Sequence, residues 1–217
     1  MKRLPRKVWG YLLLCLAVVA VLGWASLPPK PPYSDEAVDF KAELLRAISE
    51  SEQIEVVEHS WPFDFEHAEG EFMENPPNTE YRRVSLDANQ RQELLHVFDT
   101  MADAPKNSFS VCPFDPHHRL DLQTRSGKRI AILVCFSCGD TEWYSAPADA
   151  PGEFHEVKKF RIPPEAFQGV LKRYIKELGF EATRDWHQLA KSGAGQIVTP
   201  VPSYRPILVR SLPEAPP

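Results

Sequence analysis

The sequence predicts an α+β domain, in which an antiparallel sheet packs with about three helices, preceded by one transmembrane or signal helix. Three observations support this class. A charge-free apolar run stands near the N-terminus, amphipathic helical segments occur at both ends of the chain that follows, and short strand-like segments lie between those helices. The turns between the strands are too short for the crossovers that parallel pairing needs, so we expect antiparallel pairing.

Residues 8–27 form the apolar run and carry no charged side chain. A helix of this length spans the roughly 30 Å hydrocarbon core of a bilayer. The basic flank, residues 1–7, orients the N-terminus to the cytoplasm, which predicts a single-pass anchor in the cell membrane and an extracytoplasmic, periplasmic domain. A cleaved signal peptide is the alternative, because Gly23 and Ala25 are small residues at cleavage-determining positions. Both interpretations export the rest of the chain.

Proline-rich segments flank the predicted domain, which covers residues 34–184. Residues 28–33 contain four prolines and predict a polyproline spacer between membrane and domain. Residues 185–217 contain six prolines and few periodic apolar positions, so we expect an extended tail, with 207–209 as a candidate edge strand.

The charge of the chain excludes one class of partner. The formal net charge is −5, although residues 1–7 are strongly basic, so the exported part is acidic. Proteins that bind nucleic acid need a basic face to displace counterions from phosphates. No nucleic-acid partner is therefore predicted. The predicted partner is the membrane, through the N-terminal helix, and no protein partner is indicated.

Three amphipathic helices are predicted in the domain. The first covers about 35–50, with apolar residues at helical spacing. The second begins at a capping box formed by Asp87 and Gln90. The third begins at the prolines of 163–164 and stops at Gly179, because glycine readily takes the left-handed conformation that ends a helix.

Seven short segments with strand-like composition surround or separate these helices. Residues 61–80 contain six acids and no Lys or Arg, and we expect a long, solvated acidic loop there. An oxygen-rich cation site that includes Asp64, His59 and His67 is the alternative for this loop. The predicted strands cover residues 54–60, 81–86, 108–112, 119–124, 129–136, 141–145 and 156–162.

Cysteine and histidine residues cluster between residues 112 and 138. Cys135 and Cys138 belong to a Cys-x-x-Cys-Gly motif, which has the form of a zinc knuckle. Cys112 and His117 precede the hairpin that leads to this motif. Three thiolates and one imidazole are a common ligand set for structural zinc, so we predict a zinc site from Cys112, His117, Cys135 and Cys138. Copper suits the same ligands.

The hairpin between the two halves of this cluster has a predictable register. A left-handed Gly127 in the turn pairs Thr124 with Lys128. This register places His118 opposite Val134 on an apolar face and His117 opposite Cys135 on the other face. His117 is therefore the predicted ligand, whereas His118 is expected in the core.

The same residues resemble a motif of uncharacterised bacterial exported or membrane-tethered proteins. The resemblance covers residues 112–139, in the order Cys, Pro-His-His or Pro-Arg-His, a short strand, Gly, an apolar strand and Cys-Phe-Ser-Cys. That family has no established activity. The resemblance therefore implies a shared local site and no particular reaction.

Other chemistries remain open for the three exported cysteines. Export favours a structural disulfide from Cys112 to Cys135 or Cys138, in a domain that acts as an interaction module. A thiol redox pair of Cys135 and Cys138 is another alternative, although the residues after Cys138 predict a turn and strand instead of the helix that such motifs normally open. No catalytic constellation is recognisable, so an enzyme is not the favoured class.

Overall fold

The computed structural model describes residues 34–65, 73–102, 113–150, 152–160, 165–199 and 202–205. The predicted membrane span 8–27, the spacer 28–33, the strand 108–112 and the edge strand 207–209 lie outside these ranges. Within them, no helix combines the length and the apolarity needed to cross a bilayer. The elements are α1 Ser34–Glu50, β1 Ser51–His59, a 3-10 turn Pro62–Phe65, β2 Thr79–Ser85, α2 Ala88–Asp99, β3 His118–Thr124, β4 Arg129–Cys135, β5 Asp140–Ala146, β6 His155–Phe160, α3 Glu165–Glu177, α4 Trp186–Lys191 and β7 Gln196–Ile197.

The strands form one seven-stranded sheet in the order β6-β5-β4-β3-β1-β2-β7. Every pair of neighbours is antiparallel, so the predicted α+β class is confirmed. The strands β3 to β6 follow one another as a meander, whereas β1 lies between β2 and β3. This order puts the end of β1 beside the start of β3, where His117 and His118 occur.

The main hydrophobic core lies between one face of the sheet and helices α1, α2 and α3. Phe167 of α3 joins the helices, because its ring contacts Phe40 of α1 at a centroid distance of 4.8 Å and Phe98 of α2 at 5.4 Å. Burial of one such side chain contributes about 1.5–3 kcal/mol. Other buried members of this core are Leu44, Ile48, Ile54, Val56, Leu94, Leu120, Leu122, Ile132, Val134, Trp143, Leu171, Tyr174 and Ile175.

A smaller apolar cluster covers the opposite face of the sheet. Ala131 and Leu133 of β4 face it, because side chains alternate between the two faces of a strand. Trp61, Phe154 and Tyr204 complete it from segments outside the sheet. Residues that the sequence assigned to a solvated loop and to a tail therefore pack on this face.

The predicted start of α2 and the predicted end of α3 are confirmed. Asp87 accepts a hydrogen bond from the Gln90 backbone N–H at 2.9 Å, and the Gln90 side chain accepts from the Asp87 backbone N–H at 3.0 Å. Helix α3 stops before Gly179, whose φ is +85°. The Arg82 guanidinium donates to the carbonyls of Leu178 and Gly179 at 3.0 and 2.7 Å, which satisfies the end of the helix.

The register predicted for the β3–β4 hairpin is also confirmed. The Thr124 N–H donates to the Lys128 carbonyl at 2.9 Å, and Gly127 has a φ of +83°. His118 pairs with Val134, as the side-chain pattern required.

Two predictions about irregular segments were wrong. The tail expected from residue 185 contains α4 and β7, and β7 extends the sheet by pairing with β2. Trp61 and Asp64, expected in a solvated acidic loop, are 4% and 3% exposed. The 3-10 turn packs on the sheet because the aromatic side chains of Trp61 and Phe63 join the smaller apolar cluster.

Candidate functional site

The Cys-x-x-Cys-Gly motif forms a tight turn at the end of β4. The Gly139 N–H donates to the Cys135 carbonyl at 2.8 Å, and Gly139 has a φ of +76°, which favours glycine. The backbone N–H of Cys138 points at the Cys135 sulfur, with N···Sγ 3.3 Å. Both cysteines are buried, and no disulfide joins them.

Hydrogen bonding makes the two thiols of this turn unequal. The pKa of Cys135 is lowered to about 6, chiefly because the Cys138 thiol donates to it, and further because the backbone N–H groups of Asp115, Cys138 and Ser137 point at its sulfur. The same interaction and burial raise the pKa of Cys138. This hydrogen bonding therefore favours the thiolate at Cys135 and the thiol at Cys138.

The Asp115 amide brings the segment before β3 against the cysteine turn. His117 lies in this segment and is 5% exposed. Its Nε2 is 2.8 Å from Oδ1 of Asp64 and 3.8 Å from Oδ1 of Asp115. Because a carboxylate only accepts hydrogen bonds, Nε2 carries the ring proton in this arrangement.

Asp64 is fixed by the 3-10 turn that follows β1. Its Oδ2 accepts from the Trp61 backbone N–H at 2.7 Å, which leaves Oδ1 directed at His117. Nδ1 of His187 lies 3.1 Å from the Asp64 carbonyl oxygen, so α4 holds the same turn from another side.

Asp115 supplies a second carboxylate beside His117. Burial raises the pKa of this carboxyl group, although 35% of the side chain is exposed. Its Oδ1 is buried and has no hydrogen-bond partner within the part of the chain that the structure describes. The ligand atoms of the group are thus close enough together to share one small cation, and the Asp115 side chain is partly exposed to solvent.

The predicted ligand set is brought together only in part. Cys135 and Cys138 meet in one turn, and Cys112 lies outside the described residues. Within the described ranges, one group of at least three possible metal ligands has all its ligand atoms within 4.8 Å of one another. Its members are Asp64, Asp115 and His117. His117 is thus grouped with two carboxylates and not with both described cysteines. The four-residue set with Cys112 stays a prediction.

His118 lies on the helical side of the sheet, as the register predicted. Its ring contacts Phe136 edge to face at a centroid distance of 5.1 Å. Burial lowers its pKa to about 3, so it is neutral at physiological pH. Its nearest acid is Glu58, at 3.8 Å, and Glu58 also pairs with Arg184 at 3.1 Å.

A second polar cluster crosses the smaller core on β2 and β3. The Arg119 Nε donates to both Asp121 carboxylate oxygens at 2.9 Å, and Arg119 and Arg83 both pair with Glu80. These guanidinium groups lower the pKa of Glu80 although burial acts to raise it. The cluster borders a cleft of about 180 Å³ beside Tyr204. The positive charges of the two arginines are paired with the negative charges of the two acids, and the ion pair between Arg119 and Glu80 links β3 to β2.

Three comparisons with known proteins gave no match. No protein-family model, no curated protein and no solved structure shows significant similarity to it. The chemistry of the site is therefore the basis for inferring a function.

The donor types at this site are those that bind divalent cations. An imidazole and two carboxylates suit divalent zinc, and a thiolate beside a thiol suits zinc or copper. The sequence pointed to His117 and both described cysteines, but it favoured a solvated loop for Asp64 and did not assign Asp115 to a metal site.

Proposed function

We propose that the exported domain of this single-pass membrane protein binds a divalent cation, zinc in the first place, at a site built around His117. The observation that carries the proposal is the grouping of His117 with Asp64 and Asp115 within 4.8 Å. His117 is also the imidazole of the ligand set that the sequence predicts. Two independent lines of reasoning therefore meet on one side chain.

The separations of the donor atoms suit a small tetrahedral ion. Ligand atoms about 2.0–2.1 Å from zinc are about 3.3 Å from one another. The distances from His117 Nε2 to Asp64 and Asp115, 2.8 and 3.8 Å, lie on either side of that value. Zinc binding would lengthen the His117–Asp64 distance and shorten the His117–Asp115 distance by about 0.5 Å each. It would also displace the proton on Nε2 of His117.

A sulfur-rich set of Cys112, His117, Cys135 and Cys138 is the rival donor set for the same ion. The Cys135 thiolate and the Asp115 amide that contacts it support this alternative, since they bring the segment before β3 to the cysteine turn. Zinc fits both sets, and copper is the second ion that thiolate and imidazole suit.

Elemental analysis and zinc titration of the exported fragment test the proposal. Stoichiometric zinc is expected, together with proton release on binding, because ligands must be deprotonated. The His117→Gln variant should lose the ion under either donor set. Asp149→Asn, a change in an exposed turn, is the matched control and should bind as the wild type does. Absence of zinc binding by the wild type would refute the function.

Two further variants decide between the donor sets. If the carboxylates bind, Asp115→Asn loses zinc and Cys138→Ser retains it; if the thiolates bind, the results are reversed. Cobalt substitution gives an independent answer, because only thiolate ligands produce intense sulfur-to-metal charge-transfer absorption.

A thiol redox role for Cys135 and Cys138 is the second candidate. The unequal pKa values of the two thiols favour it, because a lowered pKa supplies the nucleophilic thiolate. The turn that leads into β5 and the burial of both sulfurs oppose fast exchange. Non-reducing mass spectrometry distinguishes a bound metal from a disulfide, including a structural bridge to Cys112 in an interaction module.

The extracytoplasmic location is part of the same proposal. A protease added to spheroplasts should cleave within the residues that follow Pro32, since the basic flank retains the N-terminus inside. Full protection of the domain in spheroplasts would contradict export. An N-terminal mass that retains residues 1–25 would favour the anchor over a cleaved signal.

A further inference from the structure

Helix α4 supplies an aromatic wall to the site around His117. The Trp186 indole stacks on the His117 imidazole with a centroid distance of 4.1 Å and an angle of 3° between the ring planes. The same indole stacks near Tyr81 at 6.4 Å and meets His118 edge on at 5.7 Å. His117 is thus held in its plane by Trp186 and at its edge by Asp64.

His187, the next residue of α4, contacts the turn that carries Asp64. Nδ1 of His187 lies 3.1 Å from the carbonyl oxygen of Asp64. One short helix therefore contacts the imidazole through Trp186 and the turn that carries the carboxylate through His187.

Helix α4 depends on these contacts for its own stability. It has six residues, Trp186–Lys191, and its N-cap is Asp185, which accepts from the Gln188 N–H at 2.9 Å. Isolated helices of this length are unstable in water, because nucleation is not repaid by enough hydrogen bonds. Tertiary contacts must therefore stabilise it, and the contacts with His117 and with the Asp64 turn are among them.

We propose that Trp186 is a positioning residue for the metal ligand His117, and that cation binding and the docking of α4 are thermodynamically coupled. The proposal rests on the proposed function, since it concerns the same site. An ion that binds only when His117 is correctly oriented stabilises the docked helix, and the docked helix raises affinity for the ion by the same factor.

The expected size of the effect follows from the behaviour of groups that orient metal ligands. Loss of such a group typically lowers metal affinity by 10- to 100-fold. Trp186→Ala removes the stacked ring and should lower zinc affinity by about that factor. Trp186→Phe retains a flat ring and should stay within about threefold of the wild type, because the stack is aromatic and needs no indole N–H.

Zinc titration combined with limited trypsin digestion of the complete exported fragment tests the coupling. Lys191 is exposed at the end of α4 and provides the cleavage site. Zinc should slow cleavage after Lys191 in the wild type and in Trp186→Phe, but not in Trp186→Ala or His117→Gln. Gln188→Ala, an exposed change on the same helix, is the matched control and should behave as the wild type.

The outcomes separate this inference from the function on which it rests. If the wild type binds zinc and Trp186→Ala binds it equally well, Trp186 has no positioning role and the inference is overturned. The same holds if Trp186→Phe loses as much affinity as Trp186→Ala. If the wild type binds no zinc, the proposed function and the coupling both fail, although faster metal-free cleavage of Trp186→Ala would still report the docking contact.

Discussion

Removal of the Asp64 carboxylate is the most direct test of the buried arrangement beside His117. Asp64 is 3% exposed and accepts two hydrogen bonds, from the Trp61 N–H at 2.7 Å and from His117 Nε2 at 2.8 Å. A hydrogen bond to a charged group contributes about 1.5–3 kcal/mol. Asp64→Ala removes both bonds and leaves two buried donors without partners, so the free energy of unfolding should fall by about 3–5 kcal/mol.

Urea unfolding in the presence of a chelator measures this loss without any contribution from bound metal. Asp64→Asn keeps an acceptor for the Trp61 N–H and should lose about half as much as Asp64→Ala. Asp149→Ala, in an exposed turn, should change stability by less than about 0.5 kcal/mol. A loss below about 1 kcal/mol in Asp64→Ala would refute the assignment of Asp64 as a buried hydrogen-bonded carboxylate.

Three further predictions concern backbone conformation and pH. Gly169→Ala, in open space within α3, should stabilise the protein by about 0.5–1 kcal/mol, because alanine favours the helix more than glycine does. Gly179→Ala should destabilise the protein by about 1–2 kcal/mol, because Gly179 has a φ of +85° and a Cβ there would lie 2.7 Å from the Arg82 guanidinium. Thermal unfolding shows whether the two changes in stability have opposite signs. Burial lowers the pKa of His118 to about 3, so between about pH 6.5 and 3 the unfolded chain binds a proton that the folded chain does not, and stability falls with acidification. His118→Gln should make this fall shallower by about 1.4 kcal/mol per pH unit, and an unchanged slope in urea unfolding would exclude a buried neutral imidazole. The pKa of Cys135 is lowered to about 6, so its ionisation contributes stability that is fully present above the ordinary thiol pKa and is lost as pH falls toward 6. Under reducing conditions, the difference in the free energy of unfolding between the wild type and Cys135→Ser should therefore increase from about pH 6 to about pH 9.

The elements with strong local signals could be predicted from the sequence. The capping box at Asp87 and the stop at Gly179 depend on a few neighbouring residues, and both have the expected geometry. The hairpin register was accessible because a shift by one residue would exchange its apolar and polar faces. Local chemistry and the alternation of side chains determine these features without knowledge of the rest of the fold.

The burial of Asp64 and the docking of α4 could not be predicted in this way. Asp64 lies in an acidic segment, and its burial depends on contacts with His117 and with α4, both distant in the chain. Aromatic residues on both sides of Asp64 were the available signal, because a solvated loop has little use for them. Trp186 stands in a proline-rich region whose composition suggests a tail, and only its ring contacts with His117 and Tyr81 reveal a structural role.

The position of β1 between β2 and β3 has a consequence for how the chain folds. The hairpin from β3 to β4 closes a loop of a few residues, whereas the pairing of Ile54 with Leu122 closes a loop of roughly 65 residues. The entropy lost on closing the longer loop costs about 2.5 kcal/mol more. We therefore expect the meander of β3, β4 and β5 to form early and β1 to join it late, so that His117, just before β3, meets Asp64 only in the last steps of folding.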